Sequence, residues 1–81
     1  MATIVYAGAL PDVLETGVEN IELPETVTDV QSLLIWLGRR GGPWRRLPHK
    51  GAVRATVNNH HVEPGSRVTD RDRVALVPLA W

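Results

Sequence analysis

The 81 residues hold nine Lys and Arg against nine Asp and Glu, so the formal net charge is zero, and there is no Cys. A chain of this length makes one domain that buries only about 60% of its unfolded surface, which leaves room for a single small core. The missing Cys excludes a disulfide scaffold, a Cys-ligated zinc and a thiol nucleophile. No apolar run approaches membrane-spanning length, and a soluble, cytoplasmic protein is expected.

The charge is unevenly placed. Residues 1–38 hold six acids (Asp12, Glu15, Glu19, Glu22, Glu25, Asp29) and no Lys or Arg, whereas residues 39–81 hold all nine basic residues and three acids. Such polarity orients a charged partner during encounter. The competing reading is that the halves neutralise one another across the fold.

Thr3-Ile4-Val5-Tyr6-Ala7 is β-branched and aromatic, and predicts a strand. Ala9 to Leu14, with Pro11, predicts a turn or short helical loop. Val18 to Leu23 alternates apolar and polar and predicts a half-buried strand ended by Pro24. Thr28-Asp29-Val30-Gln31 fits a Thr-x-x-Gln capping box. Behind it, Val30, Leu33, Leu34 and Leu37 form an apolar stripe at helical spacing, widened by Ile35 and Trp36. Arg39 and Arg40 suit a helix C-terminus, and Gly41-Gly42-Pro43 stops the helix.

Residues 43–51 read as a loop and Ala52 to Val57 as a strand. Asn58-Asn59 suits a tight turn, because Asn tolerates positive φ, and His60-His61-Val62 is the short return strand. Arg73 to Pro78 is the last strand. Its apolar run lacks alternation, as expected of a central strand buried on both faces. The predicted fold is α+β: a mixed four- to five-stranded sheet with one main helix on one face, and the first and last strands parallel and adjacent at its centre. This is the ubiquitin-like β-grasp. It makes one domain, residues 1–81, with 78–81 as a C-terminal tail.

The residues also resemble the family of the small subunit of molybdopterin synthase and the thiamine sulfur carrier. Val57-Asn58, with Val62 beyond, is similar to the family's Val-Asn hairpin. Val68-Thr69-Asp70-Arg71-Asp72-Arg73-Val74-Ala75 is similar to its Leu-Thr-Asp-Gly-Asp-Glu-Val-Ala turn, and Leu76-Val77-Pro78 to the apolar pair and proline that follow. Ile4-Val5-Tyr6-Ala7 matches the opening strand loosely. The resemblance implies sulfur transfer. A terminal glycine is adenylated by an activating (E1-like) enzyme and converted to a thiocarboxylate, and the tail then enters a pocket on a larger synthase subunit. The carrier supplies no catalytic side chain and needs no cofactor. The family's pattern continues past the proline through a few residues into a diglycine; this sequence has Leu79-Ala80-Trp81 there. Three readings stay open: a sequence ending ahead of the glycines, a variant without carrier chemistry, or a tail used for docking.

The resemblance implies that Ala7, His61 and Val77 share a sheet face packed against the larger subunit, and that Leu79, Ala80 and Trp81 reach into a partner. Against the first stands ordinary strand surface; against the second, Trp81 capping the domain's own core. Arg39, Arg40, Arg45, Arg46 and Lys50 around Trp44 form a basic, aromatic stretch of the kind that binds phosphate or nucleic acid. Two of these arginines sit where a helix end favours them, and a solvated loop is the preferred reading. His49, His60 and His61 are not expected to hold a metal, since adjacent strand residues point to opposite faces. The leading function is a sulfur-carrier-type small subunit of molybdopterin synthase; the alternative is a non-carrier binding or regulatory module of the same fold that docks through its tail.

Overall fold

Asp29, not Thr28, caps the main helix. The computed structural model describes residues 1–79. In it, helix α2 runs Val30–Gly38, and Asp29 precedes it in extended backbone at φ −143° and ψ 175°. The Asp29 carboxylate accepts from the Ser32 N–H at 2.7 Å, and the Ser32 hydroxyl accepts from the Asp29 N–H at 3.0 Å. The expected Thr28–Gln31 box is thus displaced by one residue. Long-range bonds decide the register. The Val68 N–H donates to the Thr28 carbonyl at 3.1 Å and the Val30 N–H to the Ser66 carbonyl at 3.0 Å. These hold the chain extended through Asp29, so that its carboxylate takes the cap.

The remaining elements are β1 (Ala2–Tyr6), α1 (Leu10–Leu14), β2 (Val18–Ile21), a 3-10 helix (Gly42–Arg46), β3 (Val53–Val57), β4 (His60–Val62) and β5 (Arg73–Pro78). The 3-10 helix replaces part of the loop expected over residues 43–51. It is launched by Gly41 and Gly42 at φ 82° and 56°, values that β-carbon-bearing residues rarely adopt. No helix among the described residues is long and apolar enough to cross a membrane.

The sheet order is β2-β1-β5-β3-β4. β1 and β5 pair in parallel, with Thr3 opposite Arg73 and Tyr6 opposite Leu76, and the other neighbours are antiparallel. The core lies on one side of this sheet. Ile4, Tyr6, Ala55, Val74 and Leu76 point from the strands against Val30, Leu33, Leu34 and Leu37 of α2, with Leu10, Leu14, Leu47 and Val68 closing the edges.

The central position of β5 matches the expectation; its burial on both faces does not. Val74 and Leu76 are fully buried, whereas Val77 is 37% exposed. Both α-helices contribute to the same core, so the other face of the sheet stays open. The uninterrupted apolar run in β5 therefore supplies two different environments.

The residues that carry the family resemblance in the last third are joined to one another. Asn58 and Asn59 take φ 51° and 70° in the β3–β4 turn. The Asn58 side chain donates to Asp72 Oδ1 at 3.0 Å and accepts from the Arg73 N–H at 3.0 Å, while the Asn58 N–H donates to the Arg73 carbonyl at 2.8 Å. Asp72 also accepts from the Thr69 N–H at 2.7 Å, and Asp70 accepts from the Leu23 N–H at 2.7 Å. The hairpin and the turn before β5 are thus one structural staple. Replacing Asn58 with Ala removes both side-chain bonds and tolerates the left-handed backbone poorly. The expected loss is about 2 kcal/mol by urea denaturation, larger than for Asn59→Ala, whose side chain makes no comparable pair of bonds.

Candidate docking surface

The open face is built by strand alternation. Residues whose neighbours point into the core must point away from it. A row crosses all five strands, because Val18 pairs with Val5, Val5 with Ala75, Ala75 with Thr56 and Thr56 with His61. One step further along β5, Val77 lies opposite Arg54. Ala7 follows Tyr6, whose partner is Leu76, and so comes level with Val77; its N–H donates to the Leu76 carbonyl at 2.9 Å. The other end of the face carries Thr3 opposite Arg73.

Ala7, His61 and Val77 therefore share one face, as the resemblance implied. Sequence reasoning missed Val5, Val18, Ala75, Thr56, Arg54 and Arg73 beside them. The signal was the period-two pattern of β1 and β3, where Thr3, Val5, Arg54 and Thr56 alternate with core residues. Val18 is 57% exposed, and with Val77, Val5 and Ala75 it gives the face an apolar centre. Solvated apolar positions gathered on one face are the usual mark of an interface.

The chain leaves this surface at its edge. Leu79 donates its N–H to the Ala52 carbonyl at 2.8 Å while the residue is 52% exposed. It forms one wall of a cleft of about 460 Å³, shared with Val30, Leu34, Val53 and Val62. Arg54 and His61 stand at the rim of the same cleft, which joins it to the open face. Ala80 and Trp81, the other two tail residues expected to meet a partner, lie outside the described residues.

The basic stretch is organised differently from expectation. Arg40 does not serve its own helix end. Its guanidinium donates to Glu19 Oε1 at 2.7 Å and lies 4.3 Å over the Trp44 ring. Tyr6 donates its hydroxyl to the same Glu19 oxygen at 2.7 Å, and its ring meets Trp44 edge-on at 5.3 Å. One face of Trp44 is thus covered, and the ring packs partly against the core. His60 and His61 occupy adjacent positions on β4, and among the described residues no three His, Cys, Asp or Glu gather as metal ligands.

Burial pushes the Tyr6 hydroxyl pKa well up, and its bond to the Glu19 carboxylate adds to the rise. For Glu19, partial burial acts upward, but the hydrogen bonds from Arg40 and Tyr6 outweigh it and hold the carboxyl below the usual glutamate range.

A five-stranded mixed sheet with parallel terminal strands at its centre and its main helix across one face is the ubiquitin-like β-grasp. Residues 5–80 match the ThiS family, and the chain belongs to that family of ubiquitin-like sulfur carriers. Among solved structures, a putative molybdopterin converting factor subunit 1 from Pyrococcus furiosus is similar at a TM-score of 0.75 and 22% identity, over 98% of this chain and 97% of that one. Small archaeal modifier protein 1 of Haloferax volcanii is similar at a TM-score of 0.66 and 17% identity, over 98% of this chain and 97% of that one. At these identities the two structures bear on the fold. No curated protein matches the chain in sequence.

The lowered Glu19 pKa fixes a sign. Its contribution is present above the unfolded carboxyl's range, about 4.3, and is lost as pH falls through the folded value. Urea unfolding across that acid window should show a shallower decline for Glu19→Gln than for the unaltered protein. The pair is about one-third exposed on the Arg40 side, so the difference at neutral pH should stay within about 1 kcal/mol and shrink with salt.

Proposed function

We propose that this protein is the sulfur-carrying small subunit of a molybdopterin synthase, presenting its C-terminal tail to a larger catalytic subunit after charging by an adenylating enzyme. The observation that carries this reading is the path of β5. The strand runs through the middle of the sheet and delivers Leu79 to its edge, exposed and beside the open face. A carrier that acts through its own terminal carboxyl group is served by a tail that starts from a fixed point on a central strand. Membership of the ThiS family supports the carrier class. The choice of the molybdopterin branch leans on the extra 3-10 turn after α2 and its Trp44. Adenylation consumes ATP, and the reading places the protein in the cytoplasm.

In this reading the open face and the tail have separate tasks. Val5, Ala7, Ala75, Val77 and His61 dock the partner, and the tail alone enters its active site. No side chain of this protein touches the reacting atoms. The activated species is the chain's terminal carboxyl, joined to AMP with release of pyrophosphate, and sulfur then displaces AMP. Glycine at the reacting end suits this passage, because a side chain there narrows the approach to the carbonyl.

The second reading is a docking module whose tail is read by a partner without sulfur chemistry. It is favoured by Leu79, a large apolar side chain exposed at the base of the tail. Both readings are tested by incubating the 81-residue chain, and a form extended by Gly-Gly after Trp81, with ATP and the adenylating enzyme of the same organism. Pyrophosphate release and intact mass are followed. The carrier reading expects an adenylate, then a sulfur-for-oxygen mass gain, on at least the extended form. Neither product on either form removes it and leaves the docking module.

A further inference from the structure

The five strands carry a single carboxylate, Glu19, and it faces the helix side, tied to Tyr6 and Arg40. Within the strands the open face carries none; Glu22 and Glu63 follow directly after β2 and β4 in the same alternation, and Glu63, level with Arg54, makes no ion pair with it. The strands of this face hold Arg54, Arg73 and His61 instead, placed by the pairings Arg54–Val77, Thr3–Arg73 and Thr56–His61. Both arginines are exposed, and among the described residues neither guanidinium has a hydrogen-bond or ion-pair partner. The uneven charge of the sequence has become a feature of one surface: the open face is apolar in the middle and cationic at its ends.

The spacing is specific. Arg54 is level with Val77, and Arg73 lies four residues down β5. At strand rise this sets the two cations about 13 Å apart along the strand direction, with Val77 and Ala75 between them. An unpaired guanidinium offers a planar fork that fits a carboxylate in two-point contact. Two such forks flanking an apolar strip describe a complementary surface: an apolar ridge with an acidic side chain at each end, about 13 Å apart, or about nine residues along a helix.

We propose that the open face, read as the docking face above, selects a protein partner whose apolar contact strip is flanked by two carboxylates, with Arg54 and Arg73 as their receptors. A phosphodiester backbone is the poorer fit. It would meet an apolar centre, with only two guanidiniums and, among the described residues, no exposed aromatic on the face to stack a base. The apolar strip supplies affinity, and the two arginines supply orientation and encounter rate.

The test uses the full chain and, as probe, the recombinant adenylating enzyme of the same organism, with association and dissociation followed at low and high ionic strength. The variants are Arg54→Glu with Arg73→Glu, and separately Val77→Asp; circular dichroism and a thermal melt confirm that each folds. The double arginine variant is expected to slow association at least about tenfold at low salt and to abolish the salt dependence, while Val77→Asp loses binding at both ionic strengths. If Val77→Asp loses binding and the arginine variant keeps wild-type rates and salt dependence, the charge inference is overturned and the docking face stands. Wild-type binding by Val77→Asp would sink the docking face itself. Should the arginine variant bind the enzyme normally but lose affinity for a single-stranded oligonucleotide, the partner class is wrong.

Discussion

The parallel pairing of β1 with β5 is the constraint on which the rest of this structure depends. It sets the first and last strands side by side at the middle of the sheet. A parallel pair needs a long crossover, and here α2, the 3-10 helix and the β3–β4 hairpin lie within it. Because the crossover carries its main helix across one face, that face becomes the core. The opposite face is left without a cover, and β5 carries the chain from the sheet centre to an exposed Leu79.

This geometry turns a sequence asymmetry into a surface asymmetry. Acidic residues cluster in the first half of the chain and basic residues in the second. The order β2-β1-β5-β3-β4 sets the strands of the first half beside those of the second. Glu19 and Arg40 close the join on the helix side, sharing a bond with Tyr6 and a ring face with Trp44. Arg54 and Arg73 find no such partner among the described residues on the open side. The neutralising reading of the uneven charge is met on the helix side by the Arg40–Glu19 pair.

Much of this was legible in the residues. β-Branched runs marked the strands, Val30-Leu33-Leu34-Leu37 marked the buried stripe of α2, and Asn58-Asn59 marked a turn with two positive φ angles. What escaped was set by contacts distant in sequence. Thr28 and Asp29 are both good caps, and bonds from Ser66 and Val68 chose between them. The apolar run in β5 says that the strand is central, but not which of its faces is covered; that depends on where the helices pack. Arg40 read as a helix-end cation because nothing local reveals Glu19 across the fold. Of the candidate site, Ala7, His61, Val77 and Leu79 were found through the family resemblance, and their neighbours emerge only from strand register. The family motif residues Asn58, Thr69 and Asp72 bond to one another and hold the frame together, away from the candidate face.

The central place of β5 also bears on how the protein is made. Translation delivers this strand last, yet β1 and β3 both need it as their neighbour. Without Arg73–Pro78 the pairs β1–β2 and β3–β4 have no strand to join them. The β1–β5 pairing joins strands far apart in sequence, and contacts of that kind slow folding.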